Sequence, residues 1–105
     1  MSKSEALTSD TVSAPPAHAV DIGGGHMIEF VEYKGDTAGI TDWHRKPDGA
    51  WCRGWVSFNG SEWGKNFPGN GWDVAQREPL TLTPSLLCRV CGDHGFITNG
   101  RWVKA

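Results

Sequence analysis

From Met27 onward no stretch keeps a helical apolar spacing for more than about two turns, and this restricts the fold more than any single motif does. The 14 Gly and 6 Pro cut the chain into short segments, several of which alternate apolar and polar residues as half-buried strands do. Met27–Tyr33 alternates Ile28 and Phe30 against Glu29, Val31 and Tyr33, and Lys34-Gly35-Asp36 ends it. Thr37–Gly49 is polar and reads as a turn-rich connection, with Lys46-Pro47-Asp48-Gly49 suited to a β-turn. Trp51–Phe58 has large apolar groups on both faces, which predicts a central strand, and Asn59-Gly60 closes it. Trp72–Arg77 and Leu80–Thr83 read as two further strands, the second bracketed by Pro79 and Pro84 at a sheet edge. Pro84–Leu87 reads as a single helical turn. Phe96-Ile97 and Trp102-Val103 flank Asn99-Gly100, the strongest short hairpin signal in the chain.

The segment before Met27 differs in kind. Residues 1–26 are small and polar, with a Pro pair, a Gly triplet and no apolar periodicity. They hold one base, Lys3, against Glu5, Asp10 and Asp21, so the whole net charge of −2 sits there and residues 27–105 are neutral. Such a composition offers too little apolar surface to offset an ordering cost of about 1–2 kcal/mol per residue. The reading is a disordered arm over 1–26 with Gly23-Gly24-Gly25 as a flexible joint, followed by a small β domain over 27–105, with Met27 as an alternative start. A core that small calls for extra support, which aromatic side chains or a metal can supply. Six Trp and 4 Phe answer to the first. Trp51, Trp55, Trp72 and Trp102 are expected in the core, and Trp43 and Trp63, in loops, at the surface.

Cysteine and histidine answer to the second. Three Cys cannot close as a disulfide framework. Cys88-Arg89-Val90-Cys91-Gly92-Asp93-His94 stands directly before the last hairpin, and two thiolates at the Cys-x-x-Cys spacing converge on one ion. His94 lies three residues beyond Cys91, within reach of the same ion. A tetrahedral structural site needs a fourth ligand; Cys52 is the remaining thiol, and His44 its substitute. Asp93 reads as a turn acceptor inside this knuckle. The fold class expected is mostly β: a small hairpin-rich sheet with a zinc-ribbon-like C-terminal knuckle and hairpin, and a disordered N-terminal arm. Structural zinc is its expected cofactor.

The segments Pro79–Leu86, Cys91-Gly92-Asp93-His94-Gly95-Phe96-Ile97 and Asn99-Gly100-Arg101 resemble a small family of uncharacterised domains of actinobacterial phages and bacteria. Some of its members occur beside ubiquitin-conjugation-like genes. The likeness spans Trp51 to Val103. It implies a zinc-binding module with Cys91 and His94 as one ligand pair. Many members carry a Cys-x-Cys at the end of the central strand, where this chain has Phe58-Asn59-Gly60-Ser61. The resemblance therefore implies either that Cys88 and Cys52 take over those ligand positions or that aromatic packing replaces the metal.

The functional expectation is a non-enzymatic module that binds another protein, in a phage a host factor, with Arg53, Arg89 and Arg101 among the residues suited to an interface. Two alternatives stand beside it. Nucleic-acid binding by a zinc-ribbon-like surface is disfavoured by the neutral body, which has no basic cluster beyond Arg45-Lys46. A small metal-dependent enzyme would need an open coordination position and a general base near it, and Asp93 is the only close carboxylate. No apolar run reaches the roughly 20 residues of a membrane helix, and no basic region leads into an apolar stretch as in a secretory signal. The expected location is the cytoplasm, that of the host if a phage encodes the chain.

Overall fold

The computed structural model describes residues 13–105 and is all-β; among these residues the one helical element is a 3₁₀ turn over Gly64–Asn66. A four-stranded antiparallel sheet is formed in order by β1 (Val20–Gly23), β2 (His26–Tyr33), β3 (Asp36–Arg45) and β4 (Trp51–Ser57). A ribbon pairs β5 (Asp73–Gln76) with β6 (Thr81–Thr83), and a third sheet orders β7 (Leu86–Leu87), β8 (His94–Thr98) and β9 (Arg101–Lys104).

Turn chemistry sets several of these connections. Asn99 and Gly100 both take positive φ, 50° and 76°, the conformation a two-residue turn between twisted strands requires. Lys46-Pro47-Asp48-Gly49 closes as the expected β-turn, the Gly49 amide donating to the Lys46 carbonyl at 2.9 Å. Beyond β4 the chain loops out and returns at Trp72, where a parallel bridge to Phe58 ties the first sheet to the ribbon. The core lies between the sheets: Ile22, Ile28, Ile40 and Val56 from the first meet Phe58, Trp72, Leu82, Leu86 and Ile97.

Several expectations change. The arm does not extend to residue 26: Val20–Gly23 pairs with β2, Ile22 is buried in the core, and Gly24 and Gly25 lie in the turn joining the two strands. The part of that expectation falling on residues 1–12 lies outside the described residues. The polar stretch after Lys34 is largely strand β3, because its inward positions Ala38, Ile40, Asp42 and His44 change from apolar to polar where they approach the site, which hides the alternation. Trp43 is accordingly buried. The central places fall to β2 and β3, which have partners on both sides, while β4 lies at the edge, and Leu86-Leu87 pairs with β8 instead of forming a helical turn.

Candidate metal centre

Register builds one wall of the site. His26 on β2, His44 on β3 and Cys52 on β4 are directly opposite one another across three strands. Side chains alternate along a strand, so these three share one face of the sheet with Ile28, Ile40 and Val56. The opposing wall is the Cys88–Asp93 turn. There the Gly92 amide donates to the Cys88 carbonyl at 2.7 Å and the Cys88 amide to the Asp93 carbonyl at 2.8 Å, with Gly92 at a φ of 78°. The turn faces the strands so that one ligand atom each from His44, Cys52, Cys88 and Cys91 lies within 4.8 Å of every other.

This group can hold a metal ion. The Cys52 and Cys88 sulfurs are 3.6 Å apart, close to the edge of about 3.8 Å for a tetrahedron with metal–sulfur bonds of about 2.3 Å. His44 is buried, yet neither of its ring nitrogens has a hydrogen-bond partner. Buried polar atoms left in this way cost on the order of 1–3 kcal/mol, and an ion among the sulfurs would satisfy one of them. Electrostatics favours a cation at the same place. Burial, reinforced by Cys88 and Cys91, pushes the Cys52 thiol up to about 12. Burial also works against a Cys88 thiolate, but His44 and the backbone amides of Cys91 and Val90 outweigh it and bring that thiol down to about 6. His44 is the counterpart: burial opposes its charge, while Asp42 and Cys88 outweigh it and push its pKa up to about 11.

A second layer of polar groups lies behind His44. Asp42 Oδ1 and Oδ2 accept from His26 Nδ1 at 2.8 and 3.1 Å, and Asp93 Oδ2 accepts from His26 Nε2 at 2.5 Å. His26 thus clasps the knuckle to the sheet. Its ring stacks on Trp102 at 3.6 Å and on His44 at 4.9 Å. Asp42 Oδ2 also stands 3.7 Å from His44 Nδ1, too far for a hydrogen bond. Burial would raise the Asp42 carboxyl, but His26 and His44 outweigh it and hold it below the usual carboxylate range. His26, Asp42 and His44 also satisfy the spacing of a three-residue metal group, which shares His44 with the first.

The structure therefore brings together Cys52, Cys88 and Cys91, and joins to them His44 in place of His94. His94 opens β8, where alternation turns its side chain outward, and its Nε2 lies 2.9 Å from Ser85 Oγ. A strand beginning directly after Asp93 explains why a three-residue separation from Cys91 does not carry that imidazole back to the sulfurs. Asp93 bonds across to His26 with its side chain instead of capping its own turn. His26 was missed because it stands at the end of what reads as a leader; extending the Ile28–Phe30 alternation back by one step would have placed it on the inward face. No protein-family model matches the chain, and no curated protein or solved structure matches it either, so the site rests on its own geometry.

Proposed function

We propose that the chain is a zinc-stabilised, non-catalytic β module that acts by binding another protein. The observation that carries the metal is the four-donor group of His44, Cys52, Cys88 and Cys91, with both ring nitrogens of His44 buried and without a hydrogen-bond partner. Three sulfurs and one imidazole suit zinc, and four protein ligands close a tetrahedral shell, as structural zinc sites do. A closed shell leaves no position for substrate, which supports the non-catalytic reading. Protein binding is supported by aromatic rings that the core does not use: Tyr33, Trp55 and Trp63 are partly exposed and Phe67 is 44% exposed. A host factor as the partner, and kinship with the phage and bacterial domains that residues 51–103 resemble, belong to the same proposal.

Metal analysis of protein purified without chelator tests the first half. One equivalent of zinc is expected, lost in Cys52→Ser, Cys88→Ser, Cys91→Ser and His44→Ala and retained in His94→Ala. Zinc lost only with His94 would overturn the ligand set. Crosslinking of the metal-loaded protein in host lysate tests the second half, and the absence of a reproducible partner would count against it.

Nucleic-acid binding is a second reading with one observation in its favour. A groove beside Cys91 gathers Arg45, Lys46, His94 and Lys104. Phosphate contacts there would make affinity for single-stranded DNA or RNA fall steeply with salt. A gel-shift series showing no complex at low salt would remove it.

A further inference from the structure

The outer face of the four-stranded sheet carries a second site, remote from the sulfurs. Trp55 alternates with the buried Gly54 and Val56, so its ring stands on the side away from the core. It passes over Gly39, where an added Cβ would come within 2.9 Å of the indole, and Trp55 pairs across the strands with Thr41. Trp63, delivered by the loop after β4, stands edge-on to both neighbours: 80° to Tyr33 at 5.3 Å and 83° to Trp55 at 6.2 Å. With Val31 and Thr41 as floor, these rings bound a hollow of about 320 Å³ that is almost wholly apolar and open on one side. Glu32 also lines it, but its carboxylate is engaged by Thr37, whose Oγ1 donates to Oε2 at 2.8 Å.

We propose that this hollow receives the methylated ammonium of a lysine side chain carried by a partner protein. Ring faces attract a cation through their quadrupole, and several rings around one hollow form the arrangement that such cations use. A plain ammonium is strongly hydrated and would find few acceptors on these walls, whereas methyl groups replace its N–H donors and match the apolar surface. The open side suits a side chain presented from outside over a free small molecule, which a pocket normally encloses. The chain itself shows the attraction: Lys34 Nζ lies 5.5 Å from the Tyr33 ring centroid. Lys34 is thus a competing cation at the edge of the site.

This inference rests on the protein-binding half of the function proposed above and is independent of the metal. Its test uses the full chain as purified and three short peptides of one sequence, bearing trimethyllysine, unmodified lysine, or a neutral carbon isostere of trimethyllysine. Tryptophan fluorescence and NMR shift changes report binding. The trimethyllysine peptide is expected to bind at least about tenfold more tightly than the neutral isostere, with shifts centred on Trp55 and Trp63. Lys34→Ala should tighten binding by removing the competitor. Lys34 is exposed, so the change leaves the core intact. Equal affinity for the neutral isostere, no saturable signal, or shifts centred elsewhere would each overturn the proposal. Such a failure with defined peptides would leave the crosslinking result to decide protein binding on its own.

Discussion

Asp42→Asn separates a metal-supporting role of the buried polar layer from a merely packing role. The substitution keeps shape and volume and removes the charge at a position 5% exposed. Asp42 now accepts from His26 at 2.8 and 3.1 Å and faces His44 Nδ1 at 3.7 Å. Through its charge the carboxylate favours a proton on Nδ1, the ring nitrogen it faces. Loss of such an outer partner typically lowers metal affinity by about 10–100-fold, which is about 1.4–2.7 kcal/mol. Consider free zinc buffered at about 1,000 times the wild-type Kd, where the metal adds about 4.1 kcal/mol to unfolding free energy. In the variant the same zinc should add only about 1.4–2.7 kcal/mol. Urea unfolding followed by Trp fluorescence, with buffered zinc and again with excess chelator, gives that increment directly. An increment equal to wild type, with both curves displaced by the same amount, would refute the reasoning and leave Asp42 as a packing partner of His26. Ser85→Ala, which loses only the contact to His94, should leave the increment unchanged.

Other outcomes follow from the same geometry. Chelator should lower the unfolding midpoint of the wild-type chain, because an ion held by His44, Cys52, Cys88 and Cys91 would bind only where the sheet and the Cys88–Asp93 turn meet; a midpoint indifferent to chelator would count against a structural metal. Loading should release protons near neutral pH, since Cys52 and His44 have pKa values pushed up to about 12 and about 11 and must deprotonate to bind. Protons therefore compete with the ion, metal-dependent stability falls as pH falls, and calorimetry in buffers of different ionisation enthalpy should show the release. Gly95→Ala should destabilise the last hairpin by about 1–3 kcal/mol, because an added Cβ would meet the Trp102 ring and the Val103 carbonyl; thermal melting checks it. Trp72→Ala should cost about 3–5 kcal/mol, as Trp72 is 1% exposed and its Nε1 also donates to the Ser85 carbonyl.

Local order along the chain was enough to show the β class, the Asn99-Gly100 hairpin and the Lys46–Gly49 turn, since each depends on residues adjacent in sequence. The Cys-x-x-Cys pair was legible for the same reason: two thiols at that spacing share a turn wherever the turn lies. What could not be read along the chain is which distant side chains complete the site. His44 and Cys52 become neighbours through the β3–β4 register, and a slip of one residue would turn both to the opposite face. His26 reaches Asp93 across 67 positions only because β2 and the knuckle pack together. His94 shows the converse, close to Cys91 in sequence and turned away by the strand it opens. Residue types and short spacings thus determined that the chain is β-rich and carries thiols and imidazoles able to hold a metal. Strand register and the packing of the knuckle on the sheet decided which imidazole faces the sulfurs, because side-chain direction alternates along a strand and long-range partners are set by pairing, not by distance along the chain.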